Sequence, residues 1–241
     1  MTEAEFLAQY DPADYERPAI TVDLVLLGLR DGRLAALLRR REQHPDLGRW
    51  ALPGGFVRLD EDLDAAAARV LREKAGLPGA HLEQLYTFGA VARDPRMRII
   101  TVAYLALLNE RALAEALEHA PDLLPAGITL PPSEKPDGAV SVLSPKAEPL
   151  GLAFDHGDIL ALAVRRLRGK LDYSEVGFAL LPEQFTLRQL QDVHEAILGT
   201  TLNKSAFRRR MRDTGWLAPT GQREGGTSFR PAELFRFARS L

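Results

Sequence analysis

Two carboxylates, an arginine and a lysine follow a glycine pair in the first third of the chain, and their spacing sets the chemistry they could perform. Gly54 and Gly55 lead through Glu61 to Arg69-Val70-Leu71-Arg72-Glu73-Lys74. On a helix, positions 70, 73 and 74 stand at i, i+3 and i+4 and share one face. Three carboxylates so placed could hold Mg²⁺ against a pyrophosphate. This chain has Val70, Glu73 and Lys74 there, so one carboxylate remains and the ammonium beside it repels a dication. Glu61 could add a ligand from the preceding loop, which still leaves a poor donor set for a hard cation. A second chemistry-bearing stretch lies near the other end of the chain. There Ser205, Arg208, Arg209 and Arg212 fall on one side of a helical wheel, opposite Phe207 and Met211.

The window from Gly55 to Leu77 resembles the Nudix pattern G-x5-E-x7-R-E-U-x-E-E-x-G-U at its glycines, Glu61, Arg69 and Glu73 together. Val70 and Lys74 occupy two of the family's glutamate positions. The resemblance implies a nucleotide-diphosphate site that keeps its shape while losing much of its chemistry. That points to sensing rather than hydrolysis, with no catalytic residue, no bound metal and no cofactor.

Three further stretches could contact such a ligand. One brings the Arg49 guanidinium, the Trp50 indole and the Gly54–Gly55 pair, whose backbone can approach a phosphate closely. Trp50 and Phe56 read equally well as core residues. Arg93-Asp94-Pro95-Arg96 reads as a polar turn between strands, either facing the ligand or solvated. Arg39 and Arg41 share a strand face, for which solvation is the competing fate. The expected effector contacts are therefore Arg49, Trp50, Gly54, Gly55, Glu73 and Arg93.

These residues need elements to position them. Residues 20–29 and 34–38 read as strands joined by an Asp31-Gly32 turn. A helix is expected over 63–74, stopped at Gly76, where glycine adopts a left-handed cap easily. Strands follow at 85–91 and 99–108, the second apolar enough for burial on both faces, and a short helix at 111–119. This alternation resembles the α/β/α sandwich of Nudix domains.

Composition bounds the rest. The chain has 241 residues, enough for two modest domains, and no cysteine, which excludes disulfides, thiol catalysis and Cys-based zinc sites. Its five histidines are dispersed without an i, i+4 pair, against a transition-metal site. Neither a secretory signal nor a membrane-spanning run is evident, so a cytoplasmic protein is expected. Residues 1–156 carry 17 Lys and Arg against 24 Asp and Glu, a net of −7, whereas residues 157–241 carry 14 against 9, a net of +5. A basic module with an anionic partner thus follows an acidic one. Seven of the sixteen prolines lie between 121 and 149, including a loop-like stretch at 131–138, which places the junction near 148–156. The expected domains are 1–150 and 151–241. At the junction, a side chain of Phe154-Asp155-His156 is expected to cap the helix that follows.

The second domain reads as a winged helix-turn-helix. A helix over 157–171 precedes one over 187–198, capped by Thr186 and ended at Gly199, and a third over 204–214, capped by Asn203. Residues 216–220 and 227–230 are expected to pair as the wing. The third helix carries the basic stripe suited to a major groove, with Lys204 and, at the wing tip, Arg223 reaching phosphates. Expected DNA contacts are Lys204, Ser205, Arg208, Arg209, Arg212 and Arg223.

With the degenerate Nudix segment, Arg93-Asp94-Pro95-Arg96, Leu152-Ala153-Phe154-Asp155-His156, Phe185-Thr186-Leu187 and Phe207-Arg208-Arg209, the chain resembles the Nudix-related transcriptional regulators of the NrtR family. The resemblance implies an α+β protein: a Nudix sandwich followed by a winged helix-turn-helix. It also implies a homodimeric repressor of NAD biosynthesis and salvage genes that binds double-stranded operator DNA and releases it on binding ADP-ribose or a related nucleotide or sugar. The competing reading, sustained by Glu61 and Glu73, is a Mg²⁺-dependent pyrophosphatase acting on ADP-ribose or a nucleotide sugar.

Overall fold

A computed structural model describes residues 1–129, 139–225 and 231–238. Helix α1 (Glu3–Gln9) precedes strand β1 (Ala19–Arg30), which runs through the middle of the main sheet. Asp31 and Gly32 both take positive φ, 50° and 72°. That is the two-residue turn that lets β2 (Arg33–Arg40) fold back antiparallel. Then come β3 (Trp50–Ala51), β4 (Gly54–Phe56), α2 (Leu63–Ala75), β5 (Glu83–Phe88), β6 (Ile99–Leu108), α3 (Glu110–His119) and β7 (Leu123–Thr129). Strands β8 (Ser141–Leu143) and β9 (Pro149–Leu150) complete a sheet ordered β5-β6-β1-β2-β7-β8-β9, with β3 on β2 and β4 on β1. β1 and β6 pair in parallel over ten residues.

The pleat divides the sheet's side chains between two layers. Val22, Leu24, Leu26, Val102, Tyr104 and Ala106 point to one face, where α2 and α3 supply Ala66, Ala67, Val70, Leu71, Leu113 and Ala116. Val25, Leu27, Ala103 and Leu105 point to the other, and Ile159, Leu160, Ala163, Val164 and Leu167 of α4 (His156–Lys170) cover them. The third layer of the sandwich therefore comes from beyond residue 150. A boundary at 150 would leave one sheet face bare.

After a 3₁₀ turn at Val176–Leu180, β10 (Phe185–Thr186) leads into α5 (Leu187–Leu198) and α6 (Lys204–Asp213). β11 (Leu217–Arg223) and β12 (Glu233–Phe237) form a small sheet with β10 in the order β10-β12-β11. The fold is α+β, a Nudix-type sandwich followed by a winged helix-turn-helix. The wing strand expected at 227–230 lies outside the described residues, as does the loop expected at 131–138, and the strand that pairs with β11 is β12. Phe185, Leu190, Val193, Ile197 and Phe207 belong to the same apolar cluster as the α4 residues and the sheet face beneath them. No helix among the described residues is long and apolar enough to cross a membrane.

Ile159→Ala cuts into that shared cluster and should cost about 2–5 kcal/mol. The measurement is the urea midpoint at unchanged m-value, and probes placed in the sheet and in the winged helix should report the same shift.

Candidate functional site

Helix α2 starts at Asp62, whose side chain accepts from the Ala65 N–H at 2.7 Å, and stops at Gly76 in the left-handed conformation, φ 64°. A Cβ on Gly76 would strike His119, so glycine is required twice over. Burial of the apolar face fixes the helix's rotation and separates the three positions expected to share an open face. Val70 is buried against Gly55, Lys74 is half-buried and Glu73 is exposed. The Val70 side chain lies in the core and takes no part in the surface chemistry.

Both surviving carboxylates are matched by guanidinium groups. Arg69 donates Nε to Glu61 Oε2 at 2.8 Å and Nη2 to Oε1 at 2.5 Å, and reaches Glu73 Oε2 from Nη1 at 3.3 Å. Arg58 adds its backbone N–H to Glu61 at 2.9 Å, and its Nη2 lies 3.6 Å from Glu73. The Arg69 hydrogen bonds, helped by Arg58 and opposed by desolvation, hold the Glu61 carboxyl down at about 2. Among the described residues no three His, Cys, Asp or Glu side chains gather into a possible metal site.

Beside this network, Gly54 rests directly on Asp23. A Cβ there would stand 2.3 Å from Asp23 Oδ1 and 2.9 Å from the Val22 carbonyl. Asp23 is buried, accepting from Thr101 Oγ1 at 2.7 Å. Arg93, expected to face a ligand, has a side chain only 5% exposed. Its Nη2 and Nε bind the two Asp155 oxygens at 2.7 and 2.8 Å, and Nη2 lies 3.6 Å from Asp23. The buried Asp23 and the half-buried Asp155 draw the guanidinium inward, because a buried charge needs a partner.

The exposed cation of that turn is Arg96, tied to Asp94 at 2.8 Å and placed 5.9 Å from the ring centres of both Phe56 and Phe154. Phe56 is 48% exposed, so it is no core residue. Arg41 lies over the other aromatic, 4.6 Å from the Phe154 ring. Arg39, expected on the same strand face, pairs with Asp122.

Arg49 is exposed beside Asp46 and donates to the Leu152 carbonyl at 3.2 Å. Trp50 is half-buried against the core, its backbone tied to Gly151 and Ala153. Asp155 holds the cap position of α4 but makes no side-chain cap hydrogen bond, because Arg93 takes both its oxygens. His156 accepts the Leu52 N–H on Nδ1 at 2.9 Å, and burial lowers its pKa. The structure thus sets Arg58 beside Glu73, and Arg96 beside Phe56 and Phe154; Phe56, Arg58, Arg96 and Phe154 are not among the expected contacts. The Arg96 position was legible as a second cation in the same polar turn; Arg58 and Phe154 carried no such signal.

The helix-turn-helix is held by local bonds. Thr186 and Gln189 form a reciprocal capping box on α5, Gly199 closes it with φ 72°, and Asn203 caps α6 by accepting from the Ala206 N–H at 3.0 Å. Gln191 donates to the Leu202 carbonyl at 3.0 Å, and Glu195 accepts the Leu202 N–H at 2.9 Å, which fixes the turn. Phe207 and Met211 are buried, while Lys204, Ser205, Arg209, Arg210 and Arg212 are exposed. Arg208 is half-buried and its Nε has no hydrogen-bond partner among the described residues, so it presents less of itself than the helical wheel implied. Arg210 leans over Phe207 with Asp172 3.6 Å away. Beneath them, burial lowers His194 to about 4 and keeps it neutral. Arg223 ends β11 opposite Glu233 and donates to the Pro231 carbonyl at 3.1 Å.

The Glu61 network makes a pH prediction. Its carboxyl sits at about 2 in the folded chain against an ordinary 4.5, so its contribution to stability is complete above 4.5 and is lost as pH falls from there towards 2. Arg69→Met should return Glu61 to the ordinary carboxylate range in a carboxyl-carbon NMR titration. A midpoint that stays near 2 would show that Arg69 is not the cause.

Known proteins supply the remaining comparison. Residues 17–124 match the NUDIX domain model, and residues 177–237 match the NrtR DNA-binding winged helix domain model. The chain is 40% identical over 239 residues to the ADPR responsive transcriptional repressor NtrR of Acinetobacter baylyi, covering 98% of this chain and 89% of that protein. The crystal structure of Shewanella oneidensis NrtR complexed with a 27mer DNA superposes with a TM-score of 0.72 at 35% identity, over 91% of this chain and 93% of that one. The NUDIX domain of the same Shewanella protein, complexed with ADP ribose, matches 69% of this chain and 99% of its own at 34% identity and a TM-score of 0.51. With both domains in the same order and likeness along nearly its whole length, the chain belongs to the NrtR family of Nudix-related transcriptional regulators.

Proposed function

We propose that this protein is a homodimeric repressor of NAD biosynthesis and salvage genes, binding double-stranded operator DNA through α6 and the wing and releasing it when ADP-ribose or a related nucleotide or sugar occupies the Nudix-type site. The observation that carries the reading is the capped, exposed cationic face of α6 on a fixed helix-turn-helix, in a chain whose other half is acidic. Arg209 and Arg212 suit base edges in the major groove, with Lys204, Ser205 and Arg223 on phosphates and Arg208 contributing its outer nitrogens. At the other site, the Gly54–Gly55 backbone, Glu73 and Arg49 are the proposed effector contacts. Arg93 and Trp50 support it from beneath, and the exposed Arg96 and Phe56 are available beside them.

The effector role, rather than hydrolysis, is supported by the donor set. Glu61 is consumed by Arg69, Glu73 is shared by two guanidiniums and Lys74 stands next to it, so the residues present do not fit a resident Mg²⁺. Purified protein with Mg²⁺ and ADP-ribose should therefore show no turnover in the range of about 1–10³ s⁻¹ common to enzymes. Turnover in that range, abolished by Glu73→Gln, would establish a pyrophosphatase instead.

Gel shift on the promoter regions of NAD genes tests the DNA reading, with ADP-ribose expected to weaken binding. Arg209→Ala should cost about 1–3 kcal/mol and relax preference at one base position. Arg223→Ala should weaken binding to every sequence and flatten the salt dependence, because a phosphate contact carries no base information. Parental binding by both variants would remove α6 and the wing from the interface.

A further inference from the structure

The two ends of α4 are bonded to the two sites. At its start both Asp155 oxygens are taken by Arg93, at 2.7 and 2.8 Å, and the same guanidinium lies 3.6 Å from Asp23, the carboxylate on which Gly54 rests. His156, the next residue, accepts the Leu52 N–H from the link between β3 and β4 at 2.9 Å. Phe154, just before, is held at φ 49°, where a bulky residue is strained, by donating its N–H to Asp46 at 2.9 Å. At the far end Arg168 donates Nε to the Ile197 carbonyl and Nη2 to the Leu198 carbonyl, each at 3.0 Å. These are the last carbonyls of α5 before Gly199 and the turn into α6. Between the two ends run 15 helical residues, about 22 Å of rod at 1.5 Å per residue. The rod is packed on the sheet on one side and on the winged helix on the other. A close-packed rod does not flex continuously, so a shift at one end is delivered to the other.

We propose that Asp155 couples the effector site to the DNA-binding helices, through a guanidinium for which an anionic effector competes. A phosphate at the Gly54–Gly55 backbone attracts Arg93, which already has Asp23 as a partner on the pocket side. When Arg93 turns towards the pocket, Asp155 loses the bonds that seat the first turn of α4. The released rod then shifts the α5–α6 turn through Arg168. For this to work the effector must bind the shifted arrangement better than the seated one, and operator DNA the reverse. The inference rests on the effector-responsive reading above.

Asp155→Asn keeps the shape and removes the charge that holds Arg93. In the full chain without effector, operator affinity by fluorescence anisotropy should already fall towards the value the parent shows with saturating ADP-ribose, while ADP-ribose affinity by calorimetry should be parental or tighter. The factor by which saturating ADP-ribose weakens operator binding should fall from the about 5–150-fold usual for such coupling towards one. Parental coupling in Asp155→Asn overturns the proposal, and so does loss of ADP-ribose affinity, which would mark a purely structural residue. Should Asp155→Asn fail to melt cooperatively, Arg168→Lys, which keeps the charge but not the two-carbonyl grip, decides by the same measurement: parental coupling there overturns the proposal. Absence of coupling in the parent protein is a different result, since it removes the effector reading itself.

Discussion

Helix α4 is buried on two sides at once, and the rest of the structure is arranged around that constraint. A helix wedged between a sheet and a helical module must be apolar over most of its circumference. His156, Ile159, Leu160, Ala161, Ala163, Val164 and Leu167 are all buried accordingly. The consequence is that one of the two cores spans both halves of the molecule: Val25 and Leu105 of the sheet and Phe185 and Phe207 of the winged helix belong to one cluster. Relative movement of the halves then proceeds by repacking between discrete arrangements rather than by a free hinge. For a regulator, such a joint is more useful than a flexible linker, because it can report a local change over a distance.

The Nudix segment is held together by an ion-pair network. The α2 start and the glycine pair frame it, and both Glu61 and Glu73 face guanidinium groups. Arg58 and Arg69 lie against Glu61 and Glu73, so the two carboxylates are charge-compensated on this surface. Arginine's planar fork suits this role, since it satisfies both oxygens of a carboxylate and stays charged at any accessible pH. Nearby, the Arg96 guanidinium and the faces of Phe56 and Phe154 offer flat surfaces, as a nucleotide's base and sugar require.

At the other end, the cations of α6 are kept outward by Phe207 and Met211, which anchor the opposite side of the helix. His194 beneath stays neutral, so it adds no repulsion under the basic face. The net negative charge of the first 156 residues disfavours nonspecific contact of that half with nucleic acid, which leaves α6 and the wing as the electrostatically favoured face.

Local order was legible in the residues themselves. The Asp31-Gly32 turn, the Gly76 and Gly199 stops, the Thr186 and Asn203 caps and the burial of Phe207 and Met211 all depend on neighbours within a few positions, and all stand as the spacing predicts. The Nudix segment was legible for the same reason, being one short run of chain. What the tertiary structure alone decided was who partners whom across long separations. Arg93 meets Asp155 at a distance of 62 residues, and Leu52 meets His156 at 104. That pairing turned an expected ligand contact into a buried brace and a helix cap into half of an ion pair. It also placed α4 as the third layer of a sandwich whose first two layers lie far upstream. Caps and turns are set by bonds within one turn of chain, whereas a buried charge takes whatever counter-charge the packed elements bring to it, and no local pattern records that choice.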